Sequence, residues 1–144
     1  MEEKKYLIDS CREFILSCPF IDKLAEFGVD FLSNDPNTYS IEEVPTKPII
    51  NPYIDGTSER QFTFTFASRF NYSQEIESNK INSHFYEDFF EWVEECSNNG
   101  NLPILNNGKV ALELKVLTGG YLYSADFSTA RWQMQLQLIY EQED

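Results

Sequence analysis

Few residues in this chain can do chemistry, and their spacing does not suit it. His84 is the single histidine, so no imidazole pair is available, and its neighbours Ser83 and Phe85 read as a helix start rather than a catalytic setting. Cys11 and Cys18 lie too far apart for a zinc knuckle. Asp35, Asn37 and Tyr39 superficially open a calcium loop, but Ser40 stands where the sharp-turn glycine is needed and the closing glutamate is misplaced. Glu42-Glu43 and Glu94-Glu95 are adjacent acids whose side chains diverge on a strand or a helix, which describes a solvated face and not a glycosidase pair. Gly119-Gly120 has neither the spacing nor the lysine of a phosphate loop. No enzyme activity, metal or cofactor is expected, so function must lie in surfaces and assembly.

Composition narrows the classes further. At 144 residues the chain is the length of one ordinary domain, enough to bury about two-thirds of its unfolded surface. With 42% hydrophobic and 15% aromatic residues it is far from a disordered composition. Its 24 acidic and 11 basic residues give a formal charge of −13, with no Lys/Arg cluster. That argues against tight phosphate-backbone binding, which draws on clustered cations, and fits a protein with protein partners or one past which DNA slides. From charge alone, simple solubility is the plainer explanation. Cys11, Cys18 and Cys96 are too few and too apolar in setting for a disulfide framework. No apolar run is long enough to span a membrane, and no basic-then-apolar leader is present. A reducing cytoplasm is the expected place of synthesis, where the Asn71-Tyr72-Ser73 sequon has no consequence.

The elements that must carry these residues are set by periodicity. From Arg60 to Phe70, Phe62, Phe64 and Phe66 alternate with Gln61, Thr63 and Thr65, the pattern of a half-buried strand. Near the end, Ala130, Trp132, Met134, Leu136 and Leu138 alternate with Arg131, Gln133, Gln135 and Gln137. A first helix, from about Glu2 to Cys18, gathers Leu7, Cys11, Phe14, Ile15 and Cys18 on one stripe before Pro19 ends it. A second, from about Asn82 to Cys96, gathers Phe85, Phe89, Trp92, Val93 and Cys96, widened by Tyr86 and Phe90, and is stopped by Asn98-Asn99-Gly100. Weaker strands are expected at Phe27–Ser33 and, after the Asn106-Asn107-Gly108 turn, at Val110–Leu117. Gly119-Gly120 and the stretch from Asp126 to Thr129 should punctuate the remaining strands. One α+β domain over residues 1–144 is expected, a mostly antiparallel sheet covered by two helices.

Between about residues 35 and 59 lie Pro36, Pro45, Pro48 and Pro52, four of the six prolines. Each removes a ladder donor, so this arm is not expected to hold a central strand. Yet Tyr39, Ile41, Val44, Ile49, Ile50, Tyr53 and Ile54 are too apolar for a solvated loop. The arm either clasps a neighbouring subunit or folds over its own core as edge strands. Asp55-Gly56 supplies the turn into the Phe-rich strand. The uncharged face of Gln133, Gln135 and Gln137 is a second candidate for subunit contact, since solvent faces usually carry more Lys and Glu.

Read together, DFLSNDPNTYSIEEVP from Asp30, YIDGTSERQFTFTFASR from Tyr53, FYEDFFEWVEE from Phe85, GNLPIL from Gly100 and GYLY from Gly120 resemble one family. It is the minor capsid or tail terminator (tail completion) family of long-tailed bacteriophages of Gram-positive hosts. The resemblance covers nearly the whole chain in the same order. It implies a fold similar to the lambda-type tail terminator and a hexameric ring of this chain on the last ring of the major tail-tube protein. Such a ring stops tube polymerisation and presents a surface to the head-tail connector protein, while DNA passes through without specific binding. The implied location is the head-proximal end of the virion tail, after assembly in the host cytoplasm, and no catalytic residues carry over. A head-side minor capsid or neck protein is the alternative within virion assembly. From a different class, a cytoplasmic small-molecule or peptide binder would use the aromatic face of the second helix.

Overall fold

The computed structural model of the chain describes residues 4–73, 75–126 and 128–143, with the backbone alone at residue 78. In chain order the elements are α1 (Leu7–Leu16), β1 (Phe27–Val29), β2 (Thr38–Val44), β3 (Ile49–Pro52), β4 (Ser58–Asn71), α2 (Ile76–Asn98), β5 (Lys109–Ala125) and β6 (Thr129–Gln142). The strands form one mixed sheet in the order β1-β2-β4-β6-β5, with β3 also paired to β4. Only β1 and β2 run parallel. The chain is thus an α+β fold with a six-stranded sheet and two helices.

The alternation of β4 and β6 determines which face of the sheet is apolar. Their register places Phe62 opposite Leu138, Phe64 opposite Leu136 and Phe66 opposite Met134, so the two apolar sets share one face. Phe64, Phe66, Met134, Leu136 and Leu138 are fully buried there, each side chain contributing about 1.5–3 kcal/mol by leaving water. A slip of one residue would turn every Phe outward and every Thr inward, which fixes the register.

Both helices pack on that face. From α1, Cys11 and Ile15 are buried, and Phe14 lies 5.0 Å from the ring of Trp92 on α2. From α2, Tyr86, Phe89 and Val93 are buried, with Phe89 stacked on Phe66 at 4.7 Å. Glu87, Asp88, Glu91, Glu94 and Glu95 face solvent, as the helical spacing requires. Asn99 caps α2 and Gly100, at φ +76, ends it. The core joins residues of every element except β3 into one cluster.

Several boundaries differ from the sequence reading. Helix α1 begins at Leu7, because Tyr6 is extended (φ −84, ψ 149) and the Lys5 N–H is drawn to Asn106 Oδ1 at 2.9 Å; Glu2 and Glu3 lie outside the described residues. Helix α2 begins at Ile76, its first turns tied to the end of β4 by the Asn79 and Asn82 side-chain amides, which donate to the carbonyls of Ser73 and Asn71 at 2.8 and 2.9 Å. Strand β1 stops at Val29, since Asp30 turns left-handed at φ 53 and donates its N–H to Ile41 O at 2.9 Å.

The Pro-rich arm does hold an interior strand. Thr38–Val44 is free of proline, with Pro36 and Pro45 outside its ends, and it pairs with β1 on one side and β4 on the other. Pro48 and Pro52 fall around the short strand β3, where lost ladder donors are tolerated. Of the two readings of the arm, folding over its own core describes β2. Nor does Gly119-Gly120 end a strand: β5 runs through it to Ala125, absorbing the irregularity in register shifts against β6. The turn that does separate β5 from β6 falls on Asp126 to Thr129, of which Phe127 lies outside the described residues.

Candidate functional site

With the helices on one face, the other face of the sheet is bare, and its chemistry comes from the second half of each alternation. β4 turns Gln61, Thr63, Thr65, Ala67 and Arg69 outward, β6 turns out Arg131, Gln133, Gln135 and Gln137, and β2 adds Glu42. Arg131 reaches across β4 to Glu42 in a two-pronged pair, Nη2 to Oε1 at 2.7 Å and Nη1 to Oε2 at 3.0 Å. The register sets Ala67 between the two strands' contributions, and it is fully buried. A small side chain there leaves room for the bridge to pass.

The pair belongs to a polar network. Arg131 Nε donates to Gln133 Oε1 at 2.9 Å, and Gln133 Nε2 donates to the Tyr121 hydroxyl at 2.8 Å, joining β6 to β5. The Arg131 guanidinium also lies 5.4 Å from the ring of Tyr123. Farther along, Gln137 Nε2 donates to Gln61 Oε1 at 2.6 Å, and Gln61 Nε2 donates to Lys47 O at 2.9 Å. Under this canopy Thr63 and Thr65 are only 4% and 6% exposed. Gln133 and Gln137 thus use their amides within the chain, which accounts for an uncharged strand face.

Beside this face lies the free edge of the sheet. The α2 end guards β5 at Leu114, whose N–H is held by Ser97 Oγ at 3.2 Å. Beyond it, Leu117, Tyr121, Leu122 and Tyr123 are 42% to 60% exposed. Gly120 lies against the Tyr86 ring with no room for a Cβ. That ring is stacked on Trp132, and its hydroxyl bonds Ser68 Oγ at 2.7 Å and donates to Trp132 O at 3.1 Å. Burial pushes the Tyr86 hydroxyl well above the usual tyrosine range, so it stays neutral and available as a donor.

The sequence-derived interface residues divide. Tyr39 and Ile41 are corrected: they are 5% and 0% exposed and belong to the chain's own core, since interior β2 turns them toward the helices. Val44 and Ile49 are half-buried, Ile50 and Tyr53 are exposed, and Gln133, Gln135 and Gln137 are half-buried on the outer face. The exposed apolar half of β5 stands outside that set, although the charge-free run from Val116 to Ala125 is visible in the sequence. His84 is exposed on α2, and Cys11, Cys18 and Cys96 are free thiols.

A concavity of about 660 Å³ beside the start of α1 is lined by Lys4, Lys5 and Arg12, of which Lys4 lies over the Tyr6 ring at 5.1 Å. Lys5 Nζ pairs with Glu13 at 3.0 Å, and Arg12 donates twice to Phe27 O at 2.9 and 3.1 Å. Among the described residues no group of three or more His, Cys, Asp or Glu side chains converges as a metal site, and no helix is long and apolar enough to cross a membrane. The arrangement offers a polar sheet face and an apolar edge, both suited to contact with macromolecules. Comparison with protein-family models finds no match to the chain, and comparison with curated proteins finds none either.

Proposed function

We propose that this chain is a structural protein of a phage virion that caps the tail tube as a ring, ends tube polymerisation and forms the joint to the head-tail connector. The resemblance in the sequence carries the reading, and one observation supports it. The segments beginning at Asp30, Tyr53 and Gly120 cover β2, most of β4 and part of the exposed half of β5, the one beginning at Phe85 lies on α2 over the sheet, and the one beginning at Gly100 forms the link from α2 to β5. In this reading six copies close a ring on the last tube ring and act by shape complementarity, with no bond made or broken. A charge of −13 lets DNA pass a channel without sticking. The ring sits at the head-proximal end of the tail, having been assembled in the host cytoplasm.

The binder reading has less to support it. The aromatic face it needs is spent inside the chain, where Tyr86, Phe89 and Val93 are buried against the sheet. Electron microscopy of particles from a phage lacking this gene tests the proposal. Overlong tails detached from filled heads are the expected result. Tails of normal length would overturn it and move the protein to the head side, the neck or outside the virion.

A further inference from the structure

We propose that the seam between α2 and β5 binds an extended segment of a partner protein that carries lysine or arginine, laid backbone to backbone against Gly119 and Gly120. This contact goes beyond the capping reading and holds with or without it. Two concavities of about 260 and 210 Å³ follow the seam and share Phe90 as a wall. On the helix side they run from Ser83 through Glu87 and Glu94 to Ser97, a stretch of about 20 Å at 1.5 Å per residue. That is the length of about six residues of extended chain.

The strand side is open where a second backbone has to approach. The Tyr86 side chain accounts for Gly120 within the chain, but nothing there accounts for Gly119: a Cβ at that position would meet no atom within 4 Å, and its φ is not positive. A strand glycine of this kind marks the close approach of another backbone. The ladder to β6 pairs Thr118 with Gln135 and Tyr121 with Gln133 and skips both glycines, which leaves bulged backbone unpaired. β5 also ends the sheet, with no strand beyond it among the described residues. Ser97 Oγ accepts the Leu114 N–H at 3.2 Å and closes the edge there, so a partner has the stretch from Lys115 onward. Strand addition draws affinity from main-chain hydrogen bonds and selectivity from the flanking side chains. Charge sets the occupant. Glu113 is answered by Lys115 at 3.8 Å, whereas Glu87 and Glu94, both exposed on the seam, have no ion-pair or hydrogen-bond partner among the described residues. A second copy would bring a charge of −13 to that acidic wall, while cations along one face of an extended segment meet both carboxylates.

The test titrates the purified full chain into a fluorescein-labelled peptide of alternating lysine and valine, about six residues long, and reads fluorescence polarisation. A version methylated at its backbone nitrogens keeps the charge and loses the donors, and a glutamate–valine version reverses the charge. Wild type should bind the first peptide alone. Gly119→Val, which places a branched side chain in the open space, should weaken binding at least about tenfold while its urea midpoint stays that of wild type. Gly119→Ala serves as the second variant if valine disturbs the fold. Glu87→Gln combined with Glu94→Gln should likewise cost at least about tenfold. No binding by wild type up to about 1 mM would overturn the proposal. So would equal binding by Gly119→Val or by the methylated peptide, either of which would reduce the contact to general charge attraction. A wild type that self-associates and is dispersed by the peptide would assign the seam to a second copy and overturn the choice of occupant. Failure of the capping function reads differently: tails of the deletion phage would keep normal length while the peptide bound as described.

Discussion

Gly120 lies so close to the Tyr86 side chain that any Cβ at that position would overlap it, whereas a Cβ on the adjoining Gly119 would meet nothing within 4 Å. Neither glycine has a positive φ, so the difference between them is one of space and not of backbone freedom. Gly120→Ala should therefore cost about 1–3 kcal/mol by overpacking a fully buried ring, while Gly119→Ala should fall within about 0.5 kcal/mol of wild type. Urea denaturation of the two variants side by side measures this. Equal stabilities would show that the ring can move aside.

The Arg131–Glu42 pair is partly desolvated, its side chains 18% and 25% exposed. Its two-pronged geometry and its span across β4 make it stronger than a surface ion pair. Removing Arg131 should cost about 1–2 kcal/mol, and a double-mutant cycle with Glu42→Ala should return a coupling of about 1 kcal/mol. Arg131→Lys should recover little, since an ammonium cannot supply the fork. Full rescue by lysine would reduce the pair to simple charge attraction.

Alkali should unfold this protein early. Burial raises Cys18 from 9.0 to about 11 and Tyr39 from 10.0 to about 12, with Asp22 and Cys18 adding to the latter, and it raises Cys11 and Tyr86 as well. The native state holds these protons to higher pH than the unfolded chain does. The stability they contribute is complete below the unfolded values and is lost as pH climbs from about 9 to 12. Thermal melts at about pH 8 and about pH 11 should show the fall, and Tyr39→Phe, with no proton to lose, should shrink it. An unchanged slope in that variant would exclude Tyr39 as a source.

The three thiols should react in a fixed order. Cys96 is partly exposed, whereas Cys11 and Cys18 are fully buried, so iodoacetamide should label Cys96 alone in the folded protein and all three in urea. Mass spectrometry of the intact chain counts the adducts. Labelling of Cys11 under native conditions would mean that α1 opens readily.

Elements were legible in the sequence where periodicity is strong. The Phe-Thr alternation of β4, the Trp-Gln alternation of β6 and the aromatic stripe of α2 each span enough residues for one face to stand out. Strand β2 is hidden in the sequence because four prolines crowd residues 35–59, while Thr38–Val44 sits between them and contains none. Strand β1, with three residues, is too short to display a period, and its parallel pairing with β2 leaves no local trace. The glycine pair read as a turn because its purpose, room for Tyr86, is a tertiary fact. Likewise Arg131 and Glu42 stand 89 positions apart, and nothing local to either announces the other.

The one-sided layering of this fold has a consequence for any cycle of copies joined edge to edge. Both helices lie on one face of a sheet whose two edges differ, so a copy turned over within such a cycle would no longer offer its neighbours the same contact. Every member of such a cycle points the same way, and its two rims are made of different atoms. An object of that kind has a direction, and each rim offers its own surface to whatever stacks on it.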